Sequence, residues 1–251
     1  YTQWGPDGAG SFLDDEKHGI PFIEKARALG IKTICVHKGL PFGKQSYEHS
    51  TCRDIGVVAK RYPDMTFMIY HSGFDMGRSE GPFDPAKADA GVDALVKSLI
   101  DNGVKPNSNV YAELGSTWRF LMRDLTQGAH VWGKLLKYVG QDNVMWGTDC
   151  IWYGSPQDQI QAFRAFQISD EFQTKHGYPK LTKELKAKIF GFNAAKIYGV
   201  DVPTQRKRAA TDALAREKQA YVEERDPSFA TYGPKTRRDF FALRREQGGR
   251  P

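Results

Sequence analysis

The strongest constraint on the fold is a repeating order of short strand-like runs and longer helix-like segments. The runs 31–36, 66–70, 109–114 and 144–149 are rich in residues of high strand propensity, and their starts lie 35 to 43 residues apart. Each run is followed by a loop and then by apolar residues at helical spacing, which is typical of βα units and a parallel sheet. The sequence therefore predicts an α/β fold with four βα units.

The number of units is small for the length of the chain. A closed (β/α)8 barrel takes about 250 residues and eight units, whereas these 251 residues contain four. Four parallel strands cannot close a barrel, and both edges of their sheet would be exposed. We therefore expect either an open four-stranded sheet or the second half of a barrel. In the second case the first half would come from a missing segment, a cleaved companion or another subunit.

Three of the runs end in a side chain that can bind a metal ion. His37 follows the first run, His71 follows the second, and Asp149 ends the fourth. The C-terminal ends of parallel strands meet at one mouth of such a fold, so these side chains are expected to converge. Neutral imidazole and carboxylate groups suit zinc, and a catalytic zinc keeps one position open for water. The pattern predicts one divalent ion, zinc before manganese, although a single such histidine is often only a core or capping residue.

Three further residues are candidates for contact with a small-molecule substrate. Glu113 lies in the third run, His49 lies on the loop after the first, and Trp152 follows Asp149 closely. Each has a plain structural alternative, since Glu113 could satisfy a buried polar group and Trp152 could simply pack. The other histidines are predicted to be surface or helix residues: His18, His130 and His176.

Charge divides the chain into a body and an arm. Residues 1–200 carry 24 Lys/Arg and 22 Asp/Glu, whereas residues 201–251 carry 12 and 8. A nucleic-acid-binding domain usually carries its basic surface on the folded body, so a nucleic-acid partner is not expected. No stretch is apolar over the ~18 residues that a membrane span needs. The three cysteines form no CxxC pair and leave the compartment open, with the cytoplasm favoured over the periplasm.

The basic C-terminal arm, residues 201–251, has few apolar residues and no strand-like run. Its aromatic residues are too sparse to build a core of their own, yet unusual for a disordered segment. We expect Phe229, Phe240 and Phe241 to pack on a neighbouring subunit or on the first half of the barrel, which would make the protein an oligomer. The alternative is that the arm is partly disordered.

Six motifs follow one another along residues 1–200: VHKG (36–39), KRYPD (60–64), MIYHSG (68–73), NVYAELGST (109–117), VMWGTD (144–149) and FNAAKIYGV (192–200). Together they resemble the C-terminal half of the amidohydrolase-related, metal-dependent TIM barrels. The resemblance is to the branch that includes aminocarboxymuconate semialdehyde decarboxylase and the resorcylate decarboxylases. The implied fold is α/β, with strands 5–8 of a (β/α)8 barrel in residues 1–200 and the basic extension in 201–251.

This resemblance also implies roles for the strand-end residues. His37 would be a metal ligand at the end of strand 5, and His71 would orient or deprotonate the metal-bound water at the end of strand 6. Asp149 would act as ligand and proton shuttle at the end of strand 8, and Asn193 would be structural. The family places two further ligands, His-x-His or Glu-x-His, on strand 1, and none of the six histidines here lie two residues apart.

Three functions remain open from the sequence. The first is a metal-dependent hydrolase of the amidohydrolase type, in which an activated water attacks a small, aromatic or carboxylated molecule. The second is a nonoxidative decarboxylase that uses the same metal site. The third is a non-catalytic half-barrel subunit, which the missing first-strand ligands favour. A fold alone does not separate these functions, because function depends on the site.

Overall fold

The computed structural model describes residues 2, 9–41, 47–224, 236–246 and 248. Its centre is a four-stranded sheet in which all neighbours are parallel and the strand order follows the chain. The strands are β1 (Thr33–His37), β2 (Thr66–Tyr70), β3 (Val110–Glu113) and β4 (Val144–Met145). The predicted parallel α/β sheet with four βα units is confirmed.

Helices connect the strands and continue beyond them. They are α1 (Gly19–Ala28), α2 (Ile55–Arg61), α3 (Gly91–Asp101), α4 (Thr117–Leu121), α5 (Leu125–Lys134), α6 (Gln157–Ala165), α7 (Asp170–His176), α8 (Lys183–Ala187), α9 (Asn193–Ile197), α10 (Val202–Ala209), α11 (Ala213–Glu223) and α12 (Arg237–Glu246). Single π-helical turns extend α5 through Leu135–Val139 and join α8 to α9 through Lys188–Phe192. Short 3-10 turns occupy Glu48–Ser50, His71–Gly73, Pro85–Lys87 and Cys150–Trp152. No helix in these ranges is long and apolar enough to cross a bilayer.

The two faces of the sheet have different partners. Alternate strand residues such as Ile34, Phe67 and Val110 join one large apolar core with the side chains of α2, α3 and α5. The opposite face carries a smaller cluster of Met68, Tyr111 and Met145, against which α9 packs. On that face Cys35 is exposed. The strand periodicity therefore buries one face under helices and leaves the other partly open.

The fourth strand is shorter than predicted. The prediction of a strand over 144–149 is wrong, because β4 ends at Met145 and Asp149 has a left-handed backbone with φ 56°. The Trp146 N–H donates to the carbonyl of Ile189 rather than to a strand. Two separate helices follow, α6 and α7, since Phe166 is extended and the Ser169 side chain caps the start of α7.

Helix α12 of the C-terminal arm packs on its own chain. Phe240 of α12 is 1% exposed within the main core, and Phe241 packs against that core in part. The Arg244 guanidinium, also buried, donates to the carbonyl of Arg123. The expectation that Phe240 and Phe241 would pack on a neighbouring subunit or on the first half of the barrel is therefore wrong, because an apolar pattern does not reveal which surface it covers. Phe229 lies outside the described residues.

Replacing Phe240 with alanine is expected to lower the free energy of unfolding by about 3–5 kcal/mol, because the lost ring leaves a cavity in the core. Urea unfolding of this variant beside Leu214→Ala measures the effect. Leu214 lies on the same arm but is 78% exposed, so its replacement should change stability little. Equal midpoints for the two variants would contradict the observed packing of α12.

Candidate functional site

The C-terminal ends of the four strands surround one cavity of about 700 Å³. His37 ends β1, His71 follows β2 directly and Glu113 ends β3. The cavity also reaches Met145 at the end of β4 and Asp149 four residues beyond it. The polar residues that line it are His37, His71, Glu113, Ser116 and Asp149, and the other lining residues are Leu40, Met68, Tyr70, Met76, Phe120, Met145, Trp146, Trp152, Tyr153, Ala194 and Tyr198.

The two histidines of the cavity contact each other. Their ring centroids are 4.3 Å apart in an edge-to-face arrangement, and both side chains are buried. His71 Nδ1 lies 2.6 Å from the carbonyl oxygen of Gly115. A carbonyl oxygen can only accept, so Nδ1 carries the proton, and Nε2 of a neutral His71 is left as the acceptor.

Burial keeps both imidazoles neutral at ordinary pH. The pKa of His37 is lowered to about 3, first by burial and then by the proximity of His71. Burial also lowers the pKa of His71, although its hydrogen bond to Gly115 and the Asp149 carboxylate oppose that shift. A neutral imidazole is the form that binds metal ions and accepts protons.

Glu113 is fixed by backbone groups of the neighbouring strand ends. Its Oε1 accepts from Gly115 N–H at 2.7 Å, and its Oε2 accepts from His71 N–H at 3.3 Å. A Cβ at Gly147 would overlap this carboxylate, so the close approach requires glycine there. Burial raises the pKa of Glu113 to about 7 despite these hydrogen bonds. Glu113 therefore satisfies backbone N–H groups and also lines the cavity.

Asp149 is held by a residue that sequence analysis did not identify. Ser116 Oγ donates to Asp149 Oδ2 at 2.7 Å, and Tyr153 Oη donates to Ser116 Oγ at 3.0 Å. His71 Nδ1 lies 4.0 Å from the same Asp149 oxygen. The motif NVYAELGST contains Ser116, but nothing in its pattern indicated that the hydroxyl faces a residue 33 positions later.

Unusual backbone conformations mark all four strand ends. Six non-glycine residues in the described ranges have positive φ, and five of them lie just after a strand: Leu40, His71, Ser72, Ser116 and Asp149. Each such conformation costs on the order of 1–3 kcal/mol and persists only where the surroundings impose it. This concentration supports the assignment of the mouth as the functional site.

The other residues singled out in the sequence differ in whether they line the cavity. Trp152 lines the cavity but is 76% exposed. His49 is not among the cavity-lining residues, because its ring packs on Phe12 with centroids 4.5 Å apart. Asn193 donates to the carbonyls of Gln141 and Val144, and so acts as a structural bridge. His130 is a helix residue as expected but is buried rather than on the surface.

The donor chemistry fits a divalent ion only in part. Two neutral imidazoles and a carboxylate are suitable zinc ligands. However, no group of three or more His, Cys, Asp and Glu side chains in the described ranges is arranged to hold a metal ion. An ion at this mouth would therefore require a further donor.

In metal-free protein, Glu113 should make stability fall as pH rises. Its pKa is about 7 in the folded chain and near 4.5 when exposed, so between these values the folded state retains a proton that the unfolded state has lost. The stability that Glu113 contributes is fully present below pH 4.5 and is lost by about pH 7, a change of roughly 3 kcal/mol. His37, with a pKa lowered to about 3, and His130, with a pKa lowered to about 4, change stability in the opposite direction over this range, so the Glu113 contribution is measured by urea unfolding as a difference between variants. Between pH 4 and pH 8, the change in the free energy of unfolding should differ between Glu113→Gln and the wild type by roughly 3 kcal/mol, whereas the exposed control Glu217→Gln should follow the wild type. A Glu113→Gln variant with the wild-type pH dependence would refute the prediction.

Comparison with known proteins places the chain in a family. The amidohydrolase family model matches residues 1–200, and no curated protein matches the chain in sequence. A zinc-bound amidohydrolase structure from Burkholderia multivorans is similar, with 16% identity and a TM-score of 0.46 over 74% of this chain. A candidate 2-pyrone-4,6-dicarboxylic acid hydrolase from Pseudomonas putida shows 14% identity and a TM-score of 0.42, over 72% of this chain and 68% of its own. This chain spans 58% of the length of the Burkholderia protein. The match over residues 1–200 shows that the chain belongs to the amidohydrolase family.

Proposed function

We propose that the cavity at the strand ends is a metal-dependent hydrolase site that acts on a small aromatic or carboxylated molecule. The observation that carries the proposal is the convergence of three side chains on one cavity: His37 at the end of β1, His71 directly after β2, and Asp149 four residues beyond β4. The aromatic and methionine side chains of the lining suit a flat apolar substrate. The substrate pocket would then include Trp152 and Glu113.

Each polar residue has a distinct part in this proposal. His37 and Asp149 would hold one divalent ion, zinc before manganese, together with a further donor. When bound, the ion would supply a water with a pKa of about 7, which is a nucleophile at neutral pH. His71 would orient the attacking water through Nε2, because its Nδ1 is committed to Gly115. Asp149 would accept the proton of that water and return the same proton to the leaving group.

Chelator treatment of the purified protein tests the hydrolase proposal. The rate at which the protein hydrolyses 4-nitrophenyl acetate should fall to the rate in buffer alone after removal of metal with dipicolinate. It should return on addition of zinc or manganese. The matched control is His49→Ala, because His49 lies outside the lining of the cavity and its loss should leave this rate unchanged. Hydrolysis that continues without metal would contradict the proposal.

A nonoxidative decarboxylase is the second candidate, and Glu113 favours it. Decarboxylation needs a proton donor for the carbon that loses carbon dioxide. A carboxyl group with a pKa of about 7 retains its proton for much of the time at neutral pH and could donate it. Release of carbon dioxide from 2,6-dihydroxybenzoate, lost in Glu113→Gln, would support this function over hydrolysis.

We also propose that a second segment completes the barrel. In the described ranges β1 and β4 each pair with one strand only, and the inner face of the sheet exposes Cys35. A lost N-terminal region, a cleaved companion or another subunit could supply four more strands and the further metal donor. Native mass spectrometry of the protein from its source should find such a segment. A stable monomer of this chain alone would contradict the proposal and favour a non-catalytic role.

A further inference from the structure

The side chain of Ser116 is diverted from its ordinary structural role. Ser116 occupies the N-cap position of α4, where a serine hydroxyl usually accepts from a backbone N–H of the first turn. Here it makes no such capping bond, and φ is 56°. The hydroxyl instead donates to Asp149 Oδ2 and accepts from Tyr153 Oη. Ser116 is 3% exposed, whereas the Asp149 side chain is 33% exposed, so the hydroxyl is buried beside a carboxylate that solvent can reach.

The second hydroxyl of this chain of hydrogen bonds is also fixed by its surroundings. The Tyr153 ring meets Phe120 edge-on with centroids 6.4 Å apart, and the Arg119 guanidinium lies 5.6 Å from its centre. Arg119 itself pairs with Asp158 at 2.5 Å. These contacts flank the Tyr153 ring on the side from which its hydroxyl reaches Ser116. Both residues line the same cavity as Asp149.

We infer that Ser116 is a positioning residue for Asp149 and that Tyr153 fixes the direction of the Ser116 hydroxyl. Tyr153 donates to Ser116, so the proton of Ser116 is directed to Asp149 Oδ2 and the other carboxylate oxygen is left for the reaction. A carboxylate held by one oriented hydroxyl keeps one rotamer, which reactive geometry requires. The inference rests on the proposed function for its catalytic consequence, but not for the hydrogen bonds themselves.

The decisive variant is Ser116→Gly. Glycine removes the hydroxyl but adopts φ 56° without strain, so the melting temperature should stay the same or rise. If Ser116 positions Asp149, the turnover number for 4-nitrophenyl acetate in the zinc-loaded protein should fall about 10–100-fold, as for other residues that orient a ligand. The KM should remain within about twofold, because a lost positioning contact acts in the transition state. Ser155→Gly, an exposed serine close by in the chain, is the matched control.

Tyr153→Phe tests the direction of the chain of hydrogen bonds. Its effect on turnover should be smaller than that of Ser116→Gly and should vanish in the Ser116→Gly background, since two residues that act in series are not additive. Tyr138→Phe, outside the cavity, controls for loss of a phenol hydroxyl. Independent, additive effects of Ser116→Gly and Tyr153→Phe would overturn the inference. So would a Ser116→Gly variant as active as Ser155→Gly.

A measurement without substrate separates this inference from the proposed function. A double-mutant cycle of Ser116→Gly and Asp149→Ala, followed by urea unfolding of metal-free protein, should show coupling between the two residues. If the two residues are coupled but the wild-type protein neither binds zinc nor hydrolyses the ester, the positioning of Asp149 is upheld and the hydrolase proposal is rejected. Absence of coupling would overturn the positioning inference whatever the activity.

Discussion

Replacing Asp149 with asparagine is expected to lower the turnover number of the zinc-loaded protein by about 10²–10⁴-fold, the range for loss of a general acid–base group. The amide is nearly the same size as the carboxylate and can still accept the hydrogen bond from Ser116. The amide cannot take up a proton, so the variant keeps the shape of the site but loses proton transfer at this position. Steady-state hydrolysis of 4-nitrophenyl acetate measures the effect, with melting temperature as the check on folding.

The matched comparison is Asp142→Asn. Asp142 precedes β4 and forms an exposed pair with Lys188 at 2.6 Å, with both side chains nearly half exposed. Loss of such a surface pair changes stability by about 0–1 kcal/mol and should leave turnover unaltered. An Asp149→Asn variant that retains the activity of Asp142→Asn would remove Asp149 from the mechanism.

The second large effect is on stability, at the buried pair of Lys38 and Asp54. Both side chains are 0% exposed, and Lys38 Nζ lies 2.9 Å from Asp54 Oδ2. Lys38 Nζ also donates to the carbonyl of His49, and Asp54 Oδ2 accepts from Leu13 N–H. The pair thus links Lys38, the residue after His37, through Asp54 to Leu13 in the segment before α1. Asp54→Ala should lower the free energy of unfolding by about 3–5 kcal/mol, because it leaves a buried ammonium without its partner.

The double variant Lys38→Met/Asp54→Leu separates charge from packing. Replacing a buried pair by apolar residues of similar volume is often neutral, so this variant should recover most of the loss, apart from about 1–3 kcal/mol for the orphaned Leu13 N–H. Urea unfolding of the wild type, the single variant and the double variant provides the comparison. A double variant less stable than Asp54→Ala would show that the ion pair itself stabilises the fold.

The strand ends were predictable because their causes are local. A short run of residues with high strand propensity identifies a buried strand, and parallel strands deliver their C-terminal residues to one mouth. His37, His71 and Glu113 followed from that rule, and the structure places them around one cavity. Asp149 reaches the cavity by a different route, through a left-handed backbone four residues beyond β4.

The failures arise from contacts between distant parts of the chain. His49 faces Phe12, which lies 37 positions earlier, and a loop sequence does not reveal such packing. Ser116 meets Asp149 only because its backbone is left-handed, a conformation that favours glycine and that no serine pattern predicts. Phe240 packs in the core of its own chain, where α12 contacts α6. The spacing of apolar residues in the sequence did not indicate which surface they would cover.

Metal stoichiometry of the purified, assembled protein tests the central claim most directly. Elemental analysis should find about one zinc or manganese ion per site in the wild type, as expected for a single catalytic ion. His37→Ala should contain almost none, because few donors remain, whereas His71→Ala should retain more metal than His37→Ala. A wild type without stoichiometric metal after assembly with its other half would contradict the hydrolase proposal and leave the non-catalytic subunit in its place.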